Sequence, residues 1–193
     1  MSTLLLIVAA GGAIVAVDHL SRRAARRRRP LSIADWRRLA RRCALSVHNN
    51  PEPHLSGHIG SIPVSVTLSE DVWEVGFRVR ASLRAAAPAG MHLTASDHGR
   101  GDTPLQSPVL AATVSASGGP QVAALLDDPD LVGPLLAVLH RWPGASVDAC
   151  GVTIDGETDQ PGRTLPEALA AAAALAGALT AALQNQAQGA SDQ

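Results

Sequence analysis

Hydrophobic and polar positions divide the chain into stretches of different period. The first is apolar on every side: Thr3 to Val17 carries no charge and no polar face. At about 1.5 Å rise per residue, Ser2 to Leu20 makes a helix of about 28 Å, close to a hydrocarbon core of about 30 Å. A transmembrane helix is therefore expected over residues 1–20. A cleaved secretory signal would place positive charge ahead of the apolar run, and no basic residue precedes Thr3. The second stretch has a helical period. Ser32-Ile33-Ala34-Asp35 is a capping-box variant that opens a helix through about Val47, with Trp36, Leu39, Ala40, Cys43 and Val47 on one side and Arg37, Arg38, Arg41 and Arg42 on the other. This helix is expected near the membrane interface. Asn49-Asn50-Pro51-Glu52-Pro53 ends it, since proline removes a donor and disfavours helical geometry in the residue before it. Residues 32–53 thus read as an amphipathic helix and linker ahead of a domain over 54–183.

From His54 the period is two. Ile62, Val64, Val66 and Leu68 alternate with Pro63, Ser65, Thr67 and Ser69; Trp73, Val75, Phe77 and Val79 alternate with Glu74, Gly76, Arg78 and Arg80. Strands buried on one side produce that alternation. Gly57 and Gly60 bracket one hairpin and Glu70-Asp71 a second, and a further strand runs from Met91 to Ala95. Residues 96–107 read as an exposed loop, followed by a strand over Val109 to Ser115.

After Gly118-Gly119-Pro120 the helical period returns. Gln121 to Leu126 forms a short helix; Asp127-Asp128-Pro129-Asp130 caps a longer one carrying Leu131, Leu135, Val138, Leu139 and Trp142 on one side. Two short strands around 145–149 and 152–154 turn at Cys150-Gly151. Thr164-Leu165-Pro166-Glu167 opens the last helix. It is long and apolar enough to suggest a second span, but at about 100° per residue Leu165, Leu169, Leu175, Leu179 and Leu183 fall within a stripe about 120° wide. Such segregation points to packing on a sheet, with a disordered tail over 184–193. The expected class is α+β: an N-terminal transmembrane helix, then an antiparallel sheet packed by two or three helices on one face.

Charge adds a direction. Residues 1–42 hold ten arginines against Asp18 and Asp35, net +8, whereas 43–193 hold six arginines against fifteen carboxylates, net −9. Arg22, Arg23, Arg26, Arg27, Arg28 and Arg29 form a basic collar over 21–31, suited to anionic lipid head groups. The positive-inside rule then places the N-terminus outside and the main domain in the cytoplasm, as a single-pass protein of a bacterial inner membrane.

The segments Gly57-His58-Ile59-Gly60-Ser61-Ile62-Pro63-Val64, Val122-Ala123-Ala124-Leu125-Leu126-Asp127, Leu135-Leu136-Ala137-Val138-Leu139 and Val152-Thr153-Ile154-Asp155-Gly156 resemble membrane-tethered bacterial domains of unknown function. The resemblance spans residues 54–183. Where those domains carry Gly-Asp-x-x-Phe-Asp, this chain keeps Gly101-Asp102 and lacks the Phe and second Asp. What the resemblance implies is an architecture, with no catalytic residue to carry over.

Candidate chemistry is sparse. His54 and His58 lie about 13 Å apart along a strand, too far to share a metal. Cys43 and Cys150 are expected as free thiols. Phosphate loops, dinucleotide fingerprints and Gly-x-Ser-x-Gly elbows are absent, and Arg100-Gly101-Asp102 is a chance tripeptide. No cofactor and no metal site is expected. Aromatic residues make up 2% of the chain, too few for base stacking, so no nucleic-acid partner is expected. The expected function is a noncatalytic interaction or scaffold module whose partner meets either the solvated sheet face, with Ser65, Thr67, Glu74, Arg78 and Arg80 as candidate residues, or the long loop over 96–107. The alternative is a hydrolase-like or metal-binding enzyme using the loop region around His92, Asp97, His98 and Asp102.

Overall fold

The computed structural model describes residues 32–49, 53–70, 75–95 and 101–191. The expected transmembrane helix and the basic collar lie outside the described residues, as do Glu74, Asp97 and His98.

Helix α1 (Ile33–Cys43) starts at the expected capping box: the Asp35 amide donates to Ser32 Oγ at 3.3 Å, and the Ser32 amide donates back to Asp35 Oδ2 at 3.0 Å. It ends earlier than the sequence suggests. Ala44 takes a left-handed conformation at φ 54°, and the Leu45 amide donates to the Ala40 carbonyl at 2.9 Å, a Schellman-type stop. Val47 consequently sits in strand β1 (Ser46–His48), which pairs antiparallel with β2 (His54–Ile59). Residues 50–52 of the expected linker lie outside the described residues. Trp36, Leu39, Ala40 and Cys43 are buried in the same core as the sheet, and α1 packs on the last helix as well as on β1.

Strands β2 and β3 (Ile62–Glu70) form a hairpin around Gly60, whose φ of 59° suits a tight connection. Next come β4 (Val75–Ser82) and β5 (His92–Ala95). Where a strand was expected over Val109 to Ser115, helix α2 (Pro108–Thr113) precedes β6 (Val114–Ser117). Ser107 Oγ accepts from the Leu110 amide at 3.4 Å and Pro108 occupies the first turn, so local capping overrides the β-branched composition. Helices α3 (Pro120–Leu126) and α4 (Pro129–Arg141) follow, then the hairpin β7 (Gly144–Asp148) and β8 (Gly151–Thr158), and α5 (Pro161–Ser191).

All eight strands join one antiparallel sheet in the order β1-β2-β3-β4-β8-β7-β5-β6. The α+β class holds, with five helices among the described residues rather than two or three. Leu55, Val64, Val66, Phe77, Val79, Leu93, Val147, Val152 and Ile154 project to one side and share a single buried cluster with the helices. Helix α5 lies along β3, β4 and β8, while α4 packs on α5 and on β5 and β7.

Helix α5 is long and apolar enough to cross a membrane. Its five stripe leucines, however, are all buried in the domain core, the most exposed being Leu183 at 6%. The helix opens at Pro161, ahead of the expected cap at Thr164, which puts Pro166 inside it. A proline there cannot donate to the carbonyl four residues back, that of Gly162. Arg42 Nη1 donates to that carbonyl instead, at 3.1 Å, which ties α1 to the start of α5. At its other end the helix runs through the stretch expected as a disordered tail, reaching Ser191 with residues 184–189 exposed.

Candidate functional site: the polar face of the sheet

The side of the sheet away from the core carries almost nothing apolar. Strand pairing lines up one row across all eight strands: Ser46, Ser56, Ser65, Arg80, Thr153, Ser146, Thr94 and Ser115. Each is half-buried or exposed, and all but Arg80 present a hydroxyl. With strands about 4.8 Å apart, the row is about 33 Å long. A second row beside it runs His48, His54, Thr67, Arg78, Asp155 and Gly144. His48 and His54 stack at its outer end, ring centroids 5.2 Å apart.

Arg78 and Asp155 are directly opposed across β4 and β8. Arg78 Nε and Nη2 donate to Asp155 Oδ1 and Oδ2 at 2.7 and 3.1 Å, a two-pronged guanidinium–carboxylate pair. Its hydrogen bond to Asp155, and then the carboxylate charge, raise the pKa of Arg78 further. The pair lines an open groove of about 690 Å³ together with Thr67, Ser69, Gly76 and Glu157. A Cβ at Gly76 would press on the Ser69 hydroxyl, which would have to rotate aside.

Arg80 is held more loosely. Its Nη2 lies 4.0 Å from Asp148 Oδ1. That carboxylate oxygen is already committed to the β7–β8 turn, accepting from the Cys150 and Gly151 amides at 2.7 and 3.0 Å. Between Ser65 and Thr153, the Arg80 guanidinium is thus the donor fork on this face with most capacity left for a carboxylate, phosphate or peptide carbonyl.

The structure places Ser65, Thr67, Arg78 and Arg80 together on this face, as the alternation predicts. Sequence reasoning missed Asp155, Asp148, Thr153 and Ser146. The expected strand stopped at Ile154, although the outward alternation continues through Thr153 and Asp155. Among the alternative loop residues, His92 is exposed opposite Asp148, and Asp102 is exposed with its Oδ1 accepting from Thr103 Oγ1 at 3.3 Å. Among the described residues no three His, Cys, Asp or Glu side chains gather to hold a metal ion. Cys43 is buried, which pushes its thiol pKa up against a smaller opposing effect of Arg42, and Cys150 is exposed. A second concavity, about 550 Å³ and mainly apolar, lies between α2 and α4 beside Ala95.

No family model, curated protein or solved structure matches the chain. The resemblance to membrane-tethered bacterial domains therefore assigns no family here.

Proposed function

We propose that the protein is a membrane-anchored, noncatalytic interaction module that offers the polar face of its sheet to a protein partner in the bacterial cytoplasm. The observation that carries this reading is the continuous polar face, eight strands wide and backed by a single buried hydrophobic core. A surface of hydroxyls with paired charges at Arg78–Asp155 and a looser Arg80 suits a polar partner surface that supplies complementary hydrogen bonds. The apolar run from Thr3 to Val17 supplies the anchor, and the collar from Arg22 to Arg29 holds anionic lipid and sets the N-terminus outside.

The test is recovery of partners from detergent extracts of cells expressing the full chain or an R78E/R80E variant. Partners lost selectively in the variant are the expected result. Indistinguishable partner sets would end this reading of the sheet face. Recovery of the intact chain from the aqueous fraction would end the anchor.

A further inference from the structure

Helix α1 divides its residues with little overlap. Taking Trp36 as zero and about 100° per residue, the buried Leu39, Ala40 and Cys43 stay within about 60° of it, while Arg37, Arg41, Arg38 and Arg42 fall between about 100° and 240°. The arginine stripe is therefore centred opposite the buried one. All four arginines are exposed, whereas Trp36, Leu39, Ala40 and Cys43 are each no more than 9% exposed. Apart from Ile33, 59% exposed in the first turn, the apolar side of this helix is spent on the protein's own core, so α1 has little greasy surface left to insert into lipid. What it presents outward is charge.

That charge is incompletely matched inside the molecule. Arg38 pairs with Asp35 at 3.4 Å and Arg42 with the Gly162 carbonyl, but Arg37 and Arg41 have no ion-pair partner among the described residues. The contrast with the rest of the chain is sharp. Residues 32–42 carry four arginines against Asp35, while 43–193 are net −9. The folded part is thus electrically lopsided, with its basic end at α1.

Position in the chain adds a second argument. Ser32 follows Leu20 by twelve residues, a reach of at most about 43 Å even when fully extended, and the intervening segment holds Arg22 to Arg29. Resting on the anchored reading above, we infer that the arginine face of α1 docks flat on the anionic surface of the bilayer and orients the domain. The acidic remainder of the domain is repelled by the same leaflet and turns away. The contact is a surface one, made by Arg37 and Arg41 with lipid phosphates.

The experiment uses the full chain with Cys150→Ser and a fluorophore on Ile33→Cys, a 59% exposed position at the start of α1. It is reconstituted one chain per nanodisc, in phosphatidylcholine alone or with a third phosphatidylglycerol, and quenching by a head-group nitroxide lipid is read. Strong quenching is expected only with phosphatidylglycerol at low salt, fading at high salt. R37E/R41E should abolish it, at roughly fivefold in docking equilibrium per arginine removed and more for reversal. R84E/R141E, the same charge change at two exposed positions elsewhere, should leave most of it.

Equal quenching in both lipids, or no effect of R37E/R41E in a variant with unchanged circular dichroism, overturns the docking and leaves the anchor standing. A signal that needs two chains per disc assigns the face to a second copy and also overturns it. Should the chain fail to incorporate at all, the anchor falls. The same variants are then scored by sedimentation with phosphatidylglycerol vesicles, where binding lost in R37E/R41E upholds the face and equal binding removes it.

Discussion

The Thr180 hydroxyl joins α5 to the segment after β4: its Oγ1 accepts from the Arg84 amide at 3.2 Å and donates to the Ala176 carbonyl at 2.7 Å. Thr180 is one of the few buried polar residues, and it sits beside the leucine stripe that packs α5 on the sheet. Replacing it with valine keeps the shape but leaves the Arg84 amide without that acceptor. Thr180→Val should cost about 1–2 kcal/mol in denaturant unfolding, and Thr180→Ser markedly less. A smaller loss for Thr180→Val than for Thr180→Ser would show that the methyl group, and not the hydroxyl, is what this site needs.

Ala44 is the one non-glycine residue with positive φ among those described. At a helix stop of this type glycine adopts the same geometry without strain on a Cβ. Ala44→Gly should therefore raise stability by about 0.5–1 kcal/mol, seen as a higher Tm with an unchanged helical spectrum. A loss of stability would mean that the flexibility added to the unfolded chain outweighs the strain removed.

The two cysteines should behave differently toward a thiol reagent. Cys150 is exposed at the β7–β8 turn and should react at once, whereas Cys43, buried and held protonated above its ordinary range, should wait for unfolding. A thiol whose pKa is raised by folding contributes stability that is full below its unfolded pKa and is lost as pH climbs through the folded one. Cys43 should therefore destabilise the fold at alkaline pH above about 8.5, and Cys43→Ala should flatten that limb of the pH–stability curve. Two fast-reacting thiols per native chain would contradict this.

Much of the fold was written in local periods. The spacing of Leu165, Leu169, Leu175, Leu179 and Leu183 marked α5 as a core helix although its composition also fits a membrane span, and alternation marked β3 and β4. The ends of elements were less legible, for separate reasons. The stop of α1 falls at an alanine, which carries no glycine signal, and β1 is three residues long, too short to display a period. In α2 the cap at Ser107-Pro108 was present in the sequence but competes with Val109, Thr113 and Val114, which favour a strand. The site divides the same way. Arg78 and Arg80 were visible as outward positions of one strand, but their carboxylate neighbours Asp155 and Asp148 lie some seventy residues on in the chain. Only the register between strands distant in sequence brings them together, and no single segment encodes that register.

The outermost strands of the sheet, β1 and β6, are three and four residues long. So short a border offers few free backbone groups for another polypeptide to extend, which guards against chain-to-chain zippering at the rims. The proposed partner would then settle on this sheet broadside, reading side chains instead of joining the ladder.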